Sequence, residues 1–291
     1  MIYANNYKKF PMRSIFNFCV LIFYAIVNSI MAGSSTLPYQ WLKDYNSARG
    51  IEKRIPVPDG FGRVDAPAGS FEDWLRHLPL KQGVPPVYLH NGQLKANQSA
   101  HFAVVDIDVG SGDLQQCADA IIRLRAEYLY SIGDFNAIHF KFTSGHNAEY
   151  ARWREGYRPI VGKGVRWVKS ARPDYSYENF RRYLISVFRY AGTYSLSREM
   201  QPISDIIQMK IGDVFIKGGF PGHAVLVVDM ALNKQTGKKA FILLQSYMPA
   251  QDMHILKNPT ALSATPWYEL DFGETLYTPE WVFSREELKR F

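Results

Sequence analysis

The last third of the chain carries two nearly unbroken apolar runs, Ala224 to Val228 and Phe241 to Leu244. Runs of this length and character are typical of strands covered on both faces of a sheet. The turn-forming stretch Gly218 to Pro221 separates Val214 to Ile216 from Ala224, which predicts a hairpin. The C-terminal third is therefore predicted to be mostly strands and turns.

Two earlier stretches show the spacing of amphipathic helices. The first is predicted over residues 114–129, with Asp113 as its N-cap. The second is predicted over residues 175–190. The apolar positions that recur on their inward faces are Leu114, Ala118, Ile121, Ile122 and Leu129 in the first, and Phe180, Leu184, Val187 and Phe188 in the second. Helices early and strands late predict an α+β fold.

The first hundred residues are predicted to be an N-terminal extension to this core. Residues 35–69 are rich in proline and glycine and are predicted to be loops. Ser70 begins a capped short helix that ends near Leu78. Asn91-Gly92 is typical of a two-residue hairpin turn. We therefore divide the chain into an extension, residues 35–100, and a core, residues 101–291.

Residues 1–34 have the pattern of a secretory signal peptide. Lys8, Lys9 and Arg13 precede an apolar run from Ile15 to Val27, and small residues follow it up to Ser34. A run of about 13 residues is short for a membrane-spanning helix, so an uncleaved anchor is the alternative. The pattern predicts an exported protein of the periplasm or cell envelope, with no stable membrane span once the leader is removed.

Composition excludes two classes of protein. The chain is 47% hydrophobic and 14% aromatic, which argues against intrinsic disorder. Its net charge is +7, and removal of the predicted leader leaves a mild balance of 31 basic against 27 acidic residues. These charges form no basic stripe, so nucleic acid is not an expected partner. This mildly basic charge is better suited to a protein that lies near anionic polymers of the cell envelope than to one that binds nucleic acid.

Without the leader the chain keeps one cysteine, Cys117. Exported proteins usually pair their cysteines or lack them, so a single thiol is either buried and inert or deliberately reactive. Cys117 lies at the predicted start of a helix, where unpaired backbone N–H groups favour the thiolate and lower the thiol pKa. Both interpretations are open from the sequence.

His223 and Gln245 are the other candidate catalytic residues. His223 opens the first apolar strand, after Pro221-Gly222, and Gln245 closes the second. A carboxamide oxygen can accept the imidazole N–H and fix its tautomer. His139, on an alternating strand, is the rival base. The remaining histidines are expected to be solvated: His77, His90, His101, His146 and His254.

Together these residues have the chemistry of a cysteine hydrolase. A thiol on a helix, an imidazole on one strand and an orienting amide on the next supply nucleophile, base and positioning group. The backbone N–H of Cys117 and the side chain of Gln115 or Gln116 are candidates for holding an oxyanion. Metal-ligand and phosphate-loop motifs are absent from the sequence, so neither a metal nor another cofactor is expected.

The segment Gly212-Asp213-Val214-Phe215, followed by Gly222-His223-Ala224-Val225, resembles the hairpin of the NlpC/P60 and CHAP families. These are papain-like cysteine peptidases and amidases that act on cell-wall peptides. The resemblance implies a papain-like core in which a cysteine-bearing helix packs on an antiparallel sheet. It also implies Cys117 as nucleophile and His223 as base.

Over most of its length the chain resembles a bacterial family of exported proteins of unknown function. The matching motifs are Gln116 to Ala120, Pro221 to Val225, and Gln245 to Gln251. This resemblance implies no activity. The expected function is therefore a cysteine amidase or peptidase acting on cell-wall peptides, and the alternative is a non-catalytic envelope module that binds glycan or peptide.

Overall fold

The computed structural model describes Met1 and residues 38–291, and residues 38–291 form one compact unit. Apart from Met1, the predicted signal peptide of residues 1–34 lies outside the described residues. Among residues 38–291, every helix is too short or too polar to cross a bilayer.

The unit contains six α-helices among its described residues. They are α1 Ile51–Arg54, α2 Phe71–Arg76, α3 Cys117–Ser131, α4 Tyr150–Arg154, α5 Tyr177–Tyr190 and α6 Thr193–Glu199. The two long helices predicted from the apolar spacing are confirmed as α3 and α5. The predicted N-cap of α3 is wrong. Gln116 holds that position, and Asp113 Oδ1 instead accepts the backbone N–H of Ala250 at 2.7 Å.

The strands are β1 Gly62–Arg63, β2 His101–Val104, β3 His139–Lys141, β4 Asn147–Glu149, β5 Tyr157–Val161, β6 Val165–Lys169, β7 Gln201–Pro202, β8 Val214–Lys217, β9 His223–Leu232, β10 Lys239–Gln245, β11 His254–Leu256, β12 Trp267–Glu269, β13 Thr275–Tyr277, β14 Val282–Ser284 and β15 Leu288–Arg290. The main sheet runs β2-β11-β10-β9-β8-β15-β7, with β1 paired to β9 and β12 to β10. Its pairings are antiparallel. The predicted α+β class is confirmed.

Strand β9 is the centre of this sheet. Its first nine residues are all buried, as the unbroken apolar run predicts. The predicted hairpin is confirmed: Lys217 on β8 pairs with His223, and Val214 pairs with Leu226. Helix α3 packs against β9, and burial of each large apolar side chain between them stabilises the fold by about 1.5–3 kcal/mol. His223 therefore lies at the start of the central, buried strand of the sheet.

Residues 38–100 pack into the same unit as the residues that follow. The predicted cap of α2 is confirmed, since Ser70 Oγ accepts the N–H of Asp73 at 3.2 Å. A hairpin turn does form here, with a bridge between Tyr88 and Leu94. The predicted two-residue loop is wrong, because the Leu89 N–H donates to the Gln93 carbonyl oxygen at 2.8 Å and so encloses three residues, of which only Gly92 has a positive φ, 81°. Strand β1 adds to the edge of β9, pairing Gly62 with Leu232.

A buried ion cluster ties this N-terminal segment to the far end of β9. Asp229 is fully buried. It accepts hydrogen bonds from Arg63 at 2.7 Å and from Arg76 at 2.8 Å. A buried carboxylate needs such partners, because an unpaired charge in the interior costs several kcal/mol. Asp229 therefore has a structural role.

Candidate functional site

His223 occupies the first position of β9 and is 1% exposed. The chain enters the strand through Gly222, where an added Cβ would lie 2.4 Å from Thr193 Oγ1 and 2.6 Å from the Gly219 carbonyl oxygen. Only glycine fits this close approach to α6. The imidazole is thus held at the N-terminal end of β9, with the packed backbone of Gly222 on one side and the sheet on the other.

The amide of Gln245 lies against the His223 ring. Leu244 pairs with Leu226, so Gln245 is level with Val225 and projects from the same face of the sheet as His223. His223 Nε2 and Gln245 Oε1 are 3.0 Å apart. Because an amide oxygen can only accept, Nε2 carries the proton and donates. In the neutral ring Nδ1 then keeps its lone pair, which is the tautomer that a general base requires.

The amide orientation is fixed by two further acceptors. Gln245 Nε2 donates to Glu280 Oε2 at 2.8 Å and lies 3.2 Å from His254 Nε2. His254 Nδ1 lies 2.8 Å from the Asp252 carbonyl oxygen, so Nδ1 carries the proton and Nε2 accepts. A flipped amide would turn its oxygen towards the carboxylate. The observed orientation of the Gln245 amide is therefore the only one in which each N–H of this network meets an acceptor.

Glu280 is in turn paired with Lys95. The two side chains form a salt bridge between Lys95 Nζ and Glu280 Oε1, and Lys95 Nζ also donates to the Asn97 carbonyl oxygen at 3.0 Å. Only 6% of the Lys95 side chain and 14% of the Glu280 side chain are exposed. The lysine gives the Glu280 carboxylate a cationic partner, and that carboxylate in turn holds the Gln245 amide in place.

Cys117 is the first residue of α3 and is buried. Burial raises the pKa of its thiol to about 11, and the carboxyl of Asp119 acts in the same direction. Hydrogen bonds from the backbone of Ala118, Ala224 and Cys117 itself act against this rise. The expectation that the helix start lowers the thiol pKa is therefore wrong, because desolvation outweighs the backbone N–H groups.

Cys117 and His223 line the same cavity, which has a volume of about 360 Å³. The lining also includes Gln116 and Asp119 from the start of α3, and aromatic side chains from α5 and from three separate loops. Two of these rings contact His223: the centroids of Tyr247 and Trp281 lie 4.7 and 5.4 Å from that of the imidazole. Phe283, which does not line the cavity, stacks on the same imidazole at 5.8 Å. Phe220 is fully exposed and Met248 is 58% exposed at this cavity.

Two polar atoms of this lining are buried without a hydrogen-bond partner among the described residues. They are Asp119 Oδ1 and Trp281 Nε1. Most buried polar groups in proteins are hydrogen-bonded. An unpaired carboxyl oxygen and an unpaired indole N–H in one cavity therefore point to a ligand that would form hydrogen bonds with both. The sequence pattern gave no reason to single out Asp119.

The His223 pKa is lowered to about 4 by burial, which the hydrogen bond to Gln245 only partly opposes. Near neutral pH the imidazole is therefore uncharged, and so is the thiol of Cys117. The resting site is a neutral thiol and a neutral base, and ionisation of the sulfur would accompany its attack on a substrate.

The two glutamines expected to hold an oxyanion are placed differently. Gln115 is not among the residues that line the cavity. Its Oε1 accepts from Arg123 Nη1 at 2.7 Å, and its Nε2 donates to the Asp108 carbonyl oxygen at 3.4 Å. The structure therefore does not bring Gln115 to the site. Gln116 does line the cavity, with Nε2 bonded to Asp113 Oδ1 at 3.0 Å.

The expectation that the remaining histidines are solvated is wrong for two of them. His254 is fully buried and His101 is 5% exposed. The apolar neighbours of His254, Met253 and Ile255, were the signal available in the sequence. Glu280 could not be identified from its sequence neighbours, because it lies in a turn and contacts Gln245 only in the folded protein. The rival base, His139, has 47% of its side chain exposed and lies near Glu199.

The described residues hold no cluster of three or more histidine, cysteine or acidic side chains suited to a metal ion. A second cavity, about 800 Å³, lies away from Cys117 and is lined in part by Trp267, Tyr268 and Phe272. Trp267 is anchored there by its Nε1–H, which donates to the Pro56 carbonyl oxygen at 2.8 Å.

Comparison with known proteins gives a family without an assigned activity. No curated protein and no solved structure matches the chain. One family model matches residues 51–290, which is most of the sequence. The site described above, including Cys117, His223, Gln245 and Glu280, lies within the matched range. The chain belongs to the family described as domain of unknown function 4846.

Proposed function

We propose that this protein is a cysteine amidase or peptidase with a papain-like site, in which Cys117 is the nucleophile and His223 the base. One observation carries the proposal. Cys117 and His223 line a single cavity, and the bond from His223 Nε2 to Gln245 Oε1 leaves Nδ1 as the proton acceptor. The three residue types, on a helix and two adjacent strands, have the roles of a thiol hydrolase site.

The reaction divides into acylation and deacylation. In acylation the thiol proton moves to His223 Nδ1 as Cys117 Sγ attacks the amide carbonyl. The imidazolium then gives that proton to the leaving nitrogen, the C–N bond breaks, and a thioester remains on Cys117. In deacylation a water molecule gives a proton to His223 and attacks the thioester. The thiol then leaves with that proton, and a carboxylic acid is released.

The proposed substrate is a cell-wall peptide of the envelope. The leader pattern of residues 1–34 and the resemblance to cell-wall peptidases support this class. The described residues lining the cavity include aromatic side chains and two acids, Asp113 and Asp119, but no lysine or arginine. The part of the substrate next to the scissile bond is therefore expected to be uncharged or apolar.

A non-catalytic binding module is the second candidate. Burial of the Cys117 thiol, which keeps it neutral, favours it, as does the exposed aromatic rim at Phe220. In such a module the cavity would hold a peptide or glycan without breaking a bond, and replacing Cys117 would leave binding unchanged.

The first experiment distinguishes the hydrolase from the binding module by the reactivity of the Cys117 thiol. Purified protein is incubated with a peptide chloromethyl ketone, which alkylates a thiol activated by a neighbouring imidazole, and the modified residue is located by mass spectrometry. The proposal expects modification of Cys117 in wild type, a loss of about 10²–10⁴-fold in rate in His223→Ala, and no loss in His139→Ala. Modification only after unfolding would overturn it.

The second experiment measures turnover. Stem peptides from cell walls and short peptide amides are incubated with wild type, Cys117→Ala and His223→Ala, and the products are identified by mass spectrometry. Cleavage that disappears in both variants supports the hydrolase. Equal binding of a stem peptide by wild type and Cys117→Ala, without cleavage by either, supports the binding module instead.

A further inference from the structure

Asp119 lies two residues after the nucleophile in α3, in an environment unusual for a carboxyl group. It is the third residue of α3 and is 6% exposed. Its Oδ2 accepts the backbone N–H of Gln116 at 3.2 Å, folding the side chain back towards the helix start. Its Oδ1 is buried without a hydrogen-bond partner among the described residues. The residue also lines the cavity that contains Cys117.

Among the described residues that line this cavity, none is a cation that could offset a charge on Asp119. The titratable groups that line it are Asp113 from the loop before α3, Cys117 from α3, His223 from β9 and Tyr247 from the segment after β10. None carries a positive charge at neutral pH, since the pKa of His223 is about 4. Burial raises the pKa of Asp119 well above its usual range. An isolated buried carboxylate is so costly that the group takes up a proton instead.

The position of that proton follows from the hydrogen bond already made. Oδ2 accepts from Gln116 N–H and is therefore the carbonyl oxygen of the neutral acid. The hydroxyl is then Oδ1, an O–H donor whose partner is missing. A substrate carbonyl in the cavity is the kind of group that would supply an acceptor.

We infer that Asp119 is a catalytic residue that remains a neutral carboxylic acid and donates a hydrogen bond from Oδ1 to the substrate carbonyl oxygen as Cys117 attacks it. This inference rests on the proposed function. It replaces the amide donors expected from the sequence, since Gln115 is bonded to Arg123 and Gln116 to Asp113.

A neutral acid suits this task for two reasons. A donor in a water-excluded site stabilises developing negative charge much more than it would in water. A carboxylate in the same place would repel that charge, whereas a protonated carboxyl in an apolar site donates to it. The protonated acid also lacks the negative charge through which an ionised Asp119 raises the thiol pKa.

Two substitutions at Asp119 test the inference. Asp119→Asn keeps an acceptor for Gln116 N–H and places an N–H donor where Oδ1 lies, so kcat is expected to stay within about tenfold of wild type. Asp119→Ala removes the donor, and kcat is expected to fall about 10²–10³-fold with little change in KM. Glu127→Gln is the matched control, because Glu127 is also buried on α3, with a raised pKa and an unpaired oxygen.

An infrared spectrum tests the protonation state without substrate. Protein labelled with ¹³C at the aspartate carboxyls should show, at neutral pH, the carbonyl stretch of a protonated acid. That band should be absent from Asp119→Asn and present in Glu127→Gln. Thermal unfolding of each variant identifies any that fail to fold, and the labelled wild type answers the question even if Asp119→Ala is one of them.

The outcomes separate this inference from the proposed function. An inactive Asp119→Asn, together with a wild type that lacks the acid band, would show that a charge is needed and overturn the inference. Full activity in both Asp119 variants would reduce Asp119 to a helix cap and overturn it while Cys117 remained essential. Activity that survives Cys117→Ala would instead overturn the proposed function.

Discussion

His223 Nε2 lies 3.0 Å from Gln245 Oε1, and the amide group of Gln245 is held from behind by Glu280 and His254. This hydrogen bond fixes the tautomer of His223 through an uncharged amide rather than through a carboxylate. The carboxylate of Glu280 contacts Gln245 and not the imidazole. The imidazole is thus oriented without a neighbouring anion that would raise its pKa.

Replacing Gln245 by leucine is expected to destabilise the fold. The substitution leaves His223 Nε2–H, His254 Nε2 and one oxygen of Glu280 without their partner, and each unpaired buried group costs about 1–3 kcal/mol. The free energy of unfolding in urea should fall by about 3 kcal/mol or more. Gln235→Leu, at an exposed position, should change it by less than about 0.5 kcal/mol. Equal stability of both variants would contradict this network.

Removing one charge of the Lys95–Glu280 pair is expected to lower the free energy of unfolding more than removing both charges. Lys95→Met leaves the largely buried Glu280 carboxyl group without its cationic partner, a loss of about 3–5 kcal/mol. The double variant Lys95→Met with Glu280→Gln should be less destabilised than the sum of the single variants. The exposed pair Lys238–Glu269 is the control, and Lys238→Met should cost at most about 1 kcal/mol. Additive effects at Lys95 and Glu280 would show that the two charges do not interact.

The thiol of Cys117 is expected to react slowly with iodoacetamide at neutral pH. Because its pKa is raised to about 11, the rate in folded protein should climb about tenfold per pH unit between pH 7 and 9. The measurement uses a Cys19→Ser background, which leaves one thiol. In urea-unfolded protein the rate should level off above about pH 8.5. A plateau below pH 7 in the folded state would reveal a stable thiolate and contradict the expectation.

Stability is expected to fall in acid through His254. Burial lowers its pKa in the folded state to about 3, against about 6.5 unfolded. The unfolded chain therefore binds the extra proton first, so the stabilisation is complete above pH 6.5 and is lost as pH falls towards 3. The difference in unfolding free energy between wild type and His254→Gln should shrink by up to about 1.4 kcal/mol per pH unit in that window.

The matched control is His139→Gln, because the His139 side chain is exposed rather than buried. A titration of His254 followed by NMR gives an independent check. A midpoint near 6.5 in the folded protein would contradict the assignment of His254 as a neutral acceptor.

Phe220 is expected to contribute to substrate binding and not to folding. Its side chain is fully exposed at the cavity, so Phe220→Ala should leave the unfolding free energy within about 0.5 kcal/mol of wild type. With a substrate that is turned over, KM should rise while kcat stays constant. Leu262 is equally exposed but is not among the cavity-lining residues, and Leu262→Ala should change neither. A KM unaffected by Phe220→Ala would exclude contact with substrate.

Local pattern was enough to predict much of the fold but only part of the site. The apolar run after His223 predicted a strand covered on both faces, and the glycine-rich turn before it predicted the hairpin, because these patterns are carried by near neighbours in sequence. Lys95 and Glu280 were missed since their pairing joins residues far apart in the chain. The direction of the thiol pKa was missed for a related reason: the helix start is local, whereas burial by the sheet is not.

The contact between Lys95 and Glu280 also determines how the chain can be shortened. A fragment beginning at residue 101 would retain Cys117, His223 and Gln245, yet it would lack the lysine beneath their amide and the strand that covers one edge of β9. Asp229 would lose Arg63 and Arg76 in the same cut. Expression trials aimed at a minimal stable protein should therefore start upstream of Tyr39, whose buried ring packs on Trp74.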